Sequence, residues 1–123
     1  MLKFYTNVKS ATEQIIIKAT GAPGHVSCRF THAYTDGVAP YFTIHAKANS
    51  GREIDEWKII KKEISSVLIK EGGTITHHHA VGRDHMPWYK EQRPTLIGEA
   101  FKSVKDSLDP KGLLNPGVII PSS

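Results

Sequence analysis

The sequence predicts an α+β fold: an antiparallel sheet with helices packed on one face, of the ferredoxin-like type, followed by an irregular C-terminal tail. Three observations carry that expectation. Apolar residues recur at spacings of three and four before residue 20 and again after residue 53. Between these stretches lie two segments rich in β-branched and aromatic residues, and the connection between them contains Asp36-Gly37, a common hairpin signal. The last 15 residues, "DPKGLLNPGVIIPSS", hold three prolines and two glycines, which excludes long regular structure.

The elements follow in order. Phe4, Val8, Ala11, Ile15 and Ala19 form the apolar face of a helix over residues 4–19, and "GAPG" at 21–24 stops it. Strands are expected over "HVSCRFTHA" at 25–33 and "PYFTIHAKA" at 40–48. A second helix begins near Asn49 or Ser50, either of which could cap it. It carries Ile54, Trp57, Ile60, Ile64, Val67 and Leu68 and ends at Gly72-Gly73. "TITHHH" at 74–79 reads as a short strand, and "VGRDHMPWYKEQRP" at 81–94 as irregular. Pro94 opens a last helix to about residue 108, with Leu96, Ile97, Ala100, Phe101, Val104 and Leu108 apolar.

A chain of 123 residues, 39% of them hydrophobic, suits one small domain over 1–123, with no internal repeat. Its net charge of +4 arises from Lys and Arg dispersed among twelve acidic residues. That pattern describes a solvated surface and argues against a nucleic-acid face. Cys28 is the single cysteine, so an internal disulfide is excluded; set among strand-like residues, it reads as a small packed side chain. No apolar run approaches the roughly 20 residues that span a bilayer. Neither a signal-peptide pattern nor a peroxisomal C-terminal signal is visible, so a cytoplasmic location is expected. The opening helix and the apolar "VII" near the end suggest surfaces made to pack on something else, as in a truncated or split protein.

Chemistry is concentrated in "GGTITHHHAVGRDH". On a strand, alternation would place His77 and His79 on one face and His78 on the other. Neither a helical His-X-X-X-His pattern nor a Cys pair accompanies them, so no metal is expected. Surface histidines without a role, proton transfer and anion binding remain open. Arg83, beside the flexible Gly82, suits an oxyanion or phosphate, and His85 lies close by. In "PYFTIHA", Tyr41 alternates with Thr43 and His45 against Phe42 and Ile44, giving one polar and one apolar strand face. A half-exposed strand explains that pattern. A phenol acting as acid or base would need its pKa of roughly 10 lowered by positive charge, for which the histidines are one source. Asn115, in "LLNPG", first of all marks a turn.

Together "THAYTDGVAPYFTIHAK", a helix ending in Gly-Gly, "TITHHHAVGR" and "SLDPKGLLNPG" resemble the C-terminal domain of FAD-linked oxidases of the vanillyl-alcohol oxidase type. The triple histidine looks like the alkyldihydroxyacetonephosphate synthase branch of that family. The resemblance implies a cap over a flavin, with FAD bound mainly by an FAD-binding domain of the same or a neighbouring polypeptide. It also implies a lipid-like substrate, an acyl-dihydroxyacetone phosphate whose acyl chain is exchanged for a fatty alcohol without net redox change. By position, Tyr41 matches a tyrosine that takes a proton from the substrate carbon. His77, His78 and His79 match a motif linked to proton transfer and substrate binding. Arg83 and His85 become candidates for the substrate phosphate, and Asn115 for the cofactor. Ala80 stands where the family has Gly, and Arg83 where the synthase pattern has Lys. A hydroxy-acid dehydrogenase or oxidase on the same scaffold, and a stand-alone His-rich metal- or anion-binding module, are the alternatives. A homo-oligomer is compatible with either enzyme, and a peroxisomal location with a eukaryotic full-length one.

Overall fold

A computed structural model describes residues 1–120. In chain order the elements are α1 (Leu2–Thr20), β1 (His25–Tyr34), β2 (Gly37–His45), α2 (Glu53–Lys70), α3 (Met86–Gln92) and α4 (Thr95–Leu108). The arrangement is α+β, with one two-stranded antiparallel sheet among the described residues. The chain divides into two compact units, Met1–Gly73 and the part from Thr74 onward. No helix among the described residues is long and apolar enough to cross a membrane.

In the first unit the expected periodicity of α1 holds, and Val8, Thr12, Ile15, Ile16 and Thr20 line its buried side. The helix packs on both α2 and β1. Val26 of β1 and Ile64 of α2 complete the aliphatic core, each such side chain contributing about 1.5–3 kcal/mol on burial. Across the sheet Val26 pairs with Ile44 and Cys28 with Phe42. The Phe42 ring lies 6.4 Å from that of Phe4 and 6.3 Å from that of Tyr5, so α1 covers this apolar face.

Both stops in this unit work as the sequence suggests. Gly21 ends α1 in the left-handed region at φ 76°, its N–H donating to the Ile17 carbonyl. At the end of α2, Gly72 N–H donates to Ile69 O and Gly73 N–H to Leu68 O, the paired bonds of a Schellman turn. Gly72 has φ 81°, which glycine reaches without strain. Gly73 fits because a Cβ there would sit 2.8 Å from the Phe4 ring.

The start of α2 differs from expectation. Arg52 occupies its N-cap position and makes no side-chain cap bond. Asn49 instead donates its backbone N–H (2.9 Å) and its side-chain Nδ2 (2.8 Å) to the carboxylate of Glu56. The same amide also donates to Thr20 O, the carbonyl that closes α1, at 2.9 Å. Glu56 is fully buried, while Trp57 and Ile54, expected on the packed face, are exposed. The helix buries its acid and leaves its tryptophan half in water.

Two further expectations fail in the second unit. The segment 74–79 is not a strand: His78 and Ala80 take φ values of 42° and 58°, which no strand tolerates. Its backbone finds partners outside any ladder, Ile75 N–H donating to Gln92 Oε1 at 2.9 Å and His79 N–H to His77 O. Within "VGRDHMPWYKEQRP", α3 is regular, with Pro87 in its first turn, where a missing N–H costs no helical bond. The last helix, α4, appears where expected, but Leu96, Ile97, Phe101, Val104 and Leu108 are all exposed, and Gly98 is its buried residue.

The Glu56 carboxyl is held below its ordinary value of 4.5, first by the Asn49 side-chain bond, then by the Asn49 backbone N–H; burial opposes and Arg52 assists. A depressed native pKa means stability that is complete above the unfolded value and is lost as pH falls through the native one. Glu56→Gln is therefore expected to be less stable than the parent at neutral pH and to flatten the acid limb of its stability profile. Urea midpoints measured from neutral to strongly acidic pH check this; parallel profiles for the two proteins would refute it.

Candidate functional site

The polar face of the hairpin is shaped by one irregularity. From the turn, Tyr34 pairs with Gly37, Ala33 with Val38 and His32 with Ala39; the next pair is Phe30 with Pro40, leaving Thr31 as an extra residue. The bulge falls beside Pro40, which has no N–H to give a ladder. Thr31 Oγ1 donates to Ala39 O at 3.3 Å. Without the bulge Phe30 would face Tyr41. With it, Arg29 does, and its guanidinium carbon lies 4.7 Å from the Tyr41 ring centroid. Ser27 then pairs with Thr43 and His25 with His45, the two imidazoles 6.3 Å apart.

One face of the hairpin thus presents a phenol, a guanidinium, two hydroxyls and two imidazoles. The alternation expected of Tyr41, Thr43 and His45 is borne out, and Tyr41 is half-buried. Arg29 was not legible as a partner, although a proline inside a strand is a signal for a bulge. Cys28 faces the other way. Burial pushes its thiol up, partly offset by the Tyr41 backbone N–H, so it stays a protonated, packed side chain.

The histidines sit on a turn in the second unit. His79 N–H closes back onto His77 O around His78. The consequence reverses the alternation argument, because His78 is not directed away from its neighbours. Its ring lies 4.9 Å from that of His77 and 4.5 Å from that of His79, edge-on to both. Nδ1 of His77 and Nδ1 of His78 are 3.0 Å apart. Such a contact needs one nitrogen to donate and the other to accept. His85 joins the turn through Nδ1 and the Ala80 carbonyl, 3.4 Å apart, and Thr76 Oγ1 donates to the same carbonyl.

Arg83 is also within this unit, and donates through Nη2 to Pro116 O at 3.1 Å. That bond ties the histidine turn to the residue beside Asn115, which is exposed at φ 44°. The tail is held by Asp109. Its carboxylate receives Lys105 Nζ and the backbone N–H groups of Leu113 (3.0 Å) and Leu114 (2.8 Å). Those contacts, led by Lys105 and then Leu114, hold Asp109 down to about 2 against the opposing effect of burial. "LDPKGLLNPG" is therefore a built turn that delivers Asn115-Pro116 to Arg83. Tyr41 belongs to the first unit, and the three histidines, His85, Arg83 and Asn115 to the second.

Comparisons with known proteins give this arrangement a family. Residues 5–119 match the family of FAD linked oxidases, C-terminal domain, and the chain belongs to it. Alkyldihydroxyacetonephosphate synthase of Dictyostelium discoideum is 32% identical over 105 residues, 85% of this chain and 17% of that protein. The protein of the same name in Trypanosoma brucei brucei is 30% identical over 107 residues, 87% of this chain and 18% of that protein. Glycolate oxidase subunit GlcD of Bacillus subtilis is 32% identical over 93 residues, 73% of this chain and 19% of its own. The chain spans less than a fifth of the length of each.

Ala80, standing where the resemblance places Gly, lies at φ 58°. An L-residue there is strained, and glycine is not. Ala80→Gly is expected to raise stability by about 0.5–1 kcal/mol. A chemical denaturation curve with an unchanged or lower midpoint would show that the turn is not left-handed at this residue.

Proposed function

Starting from that membership, we propose that this chain is the substrate-facing portion of an FAD-dependent enzyme of the alkyldihydroxyacetonephosphate synthase type. Its reaction would exchange the acyl chain of acyl-dihydroxyacetone phosphate for a fatty alcohol, a step of ether lipid synthesis. The observation that carries the reading is the polar hairpin face, with the Arg29 guanidinium 4.7 Å over the Tyr41 ring.

The donor set fits a place beside a flavin better than the holding of its dinucleotide. Phenol, imidazole and guanidinium groups handle protons and oxyanions, and most of them are partly or fully exposed. FAD, bound chiefly by the FAD-binding portion of the same or a neighbouring polypeptide, supplies an electron-accepting ring system. Asn115, exposed at its turn, is the residue this chain offers toward it. Tyr41, acting as the phenolate, takes the proton from the substrate carbon and becomes a neutral phenol, and the neighbouring guanidinium offsets the phenolate charge before the transfer. The His77–His78 pair holds one proton between two nitrogens 3.0 Å apart and so can deliver or receive it with little movement. Arg83 and His85 are assigned to the substrate phosphate. The exposed apolar residues of α4 are suited to packing on the FAD-binding portion, since they lie on a chain covering 17% and 18% of its synthase relatives.

Similarity to a glycolate oxidase subunit supports a second reading, a hydroxy-acid oxidase or dehydrogenase on the same scaffold. Anaerobic mixing of the complete enzyme with substrate separates the two. Bleaching of the flavin to its reduced form marks the oxidase, and retention of the oxidised cofactor after turnover marks the exchange reaction.

In the complete enzyme, Tyr41→Phe is expected to lower kcat by about 10²-fold or more while leaving flavin content unchanged. Near-normal turnover in that variant would remove Tyr41 from the chemistry and take this proposal with it.

A further inference from the structure

Asp109 is a charged group for which the proposed chemistry has no use. Its side chain is 8% exposed, and its carboxyl is held down to about 2. We propose that Asp109 is a positioning residue for the substrate phosphate, acting on Arg83 through the turn at Asn115 and Pro116. The inference rests on the assignment of Arg83 to that phosphate.

The path from one to the other is continuous and lies within the second unit. Asp109 follows α4 and accepts from Lys105 Nζ and from the backbone N–H groups of Leu113 and Leu114. Gly112, at φ 61°, donates its N–H to Asp109 O at 2.9 Å. Lys105 Nζ also donates to Leu114 O, so both polar groups of the Leu114 backbone are held. Asn115 therefore starts from a fixed point. Its carbonyl accepts from Val118 N–H at 3.3 Å. Pro116 in the second position of that turn and Gly117 in the third, at φ 71°, are the marks of type II geometry. The Pro116 carbonyl belongs to the central peptide, which the turn's own hydrogen bond leaves unused. Arg83 Nη2 donates to it at 3.1 Å.

Arg83 is exposed, so burial does not fix its head group. One bond to a carbonyl on a built turn does, because the guanidinium is planar and its donors are rigid relative to one another. Five N–H donors lie in that plane; one goes to Pro116, and others are left for two phosphate oxygens. An anion that meets donors already set in place loses less freedom on binding. The choice of acid at 109 follows from the same logic. Hydrogen bonds to an ionised acceptor are roughly twice as strong as neutral ones, so a carboxylate holds the two leucine amides more firmly than a carboxamide would.

Steady-state kinetics of the complete enzyme test this. Asp109→Asn keeps the shape of the side chain but removes its charge and one acceptor oxygen. KM for the phosphate-bearing substrate is expected to rise about tenfold. Turnover, flavin content and KM for the fatty alcohol should stay unchanged. Arg83→Gln is expected to raise the same KM, and the double variant to be no worse than Arg83→Gln, since one effect passes through the other. If Asp109→Asn fails to fold, Lys105→Met takes its place; it removes the donor to Leu114 O and should give a smaller rise of the same selective kind. Additive effects, an equal rise in both KM values, or a rise in Arg83→Gln but not in Asp109→Asn would overturn the positioning role. An unchanged KM in Arg83→Gln would overturn the phosphate assignment itself, and the positioning role with it.

Discussion

The first unit depends on one amide. Asn49 has three N–H groups within reach of its neighbours, one on the backbone and two on Nδ2; two go to the buried Glu56 and one to the carbonyl that closes α1. The end of one helix and the first turns of the next are therefore joined through a single side chain in the loop that leaves the hairpin. An ionised carboxylate can only accept, so the bonds run in one direction and the geometry has no alternative arrangement of protons. Because α1 is fixed in this way, its Phe4 and Tyr5 can cover Phe42, and that contact in turn commits Tyr41 to the opposite face.

Which residues meet on that opposite face is decided by the bulge at Thr31. Counting outward from the hairpin turn without it pairs an aromatic ring with Tyr41; one extra residue brings in a guanidinium instead. A one-residue offset exchanges every side chain between faces, so the bulge also sends Ser27 and His25 to the polar side and Val26 and Cys28 to the core. The chemistry available at Tyr41 is a product of strand register, and Pro40 is the local reason why the register breaks there.

The helices α1, α2 and α4 were legible because their evidence is internal to the sequence: α1 carries its own apolar stripe, and Gly21 and Gly72-Gly73 stop the chain without help from elsewhere. Tyr41 on a polar face was legible for the same reason, since alternation needs no partner. What escaped depended on contacts between distant segments. Glu56 looks like any acid in a first helical turn until Asn49 and Arg52 are brought to it. Ile75 and Thr76 have the composition of a strand, yet a strand needs a neighbour with free donors and acceptors, and Gln92 takes the Ile75 N–H instead. A period of two misplaces the histidines, because His77–His79 form a turn with His78 at φ 42°. Ala80 hides the turn, since it holds a conformation that glycine would have announced.

The second unit concentrates backbone strain. All four non-glycine residues with positive φ among the described ones, His78, Ala80, Asn115 and Ile119, lie beyond Thr74. Each such residue is held against a preference of about 1–3 kcal/mol and persists only where surrounding contacts over-determine it. Two hydrogen-bonded anchors provide those contacts. Asp109, ionised down to about 2, fixes Leu113 and Leu114 and so the turn at Asn115. Arg83 then joins that turn to the histidine turn through Pro116 O. Lysine at position 83 has no planar fork of donors, so it could supply the charge but not the same fixed clamp. Arginine here and the left-handed Ala80 are thus two parts of one solution, in which a charged clamp holds a backbone that would otherwise relax. The strain is confined to the segments that carry the histidines and Asn115.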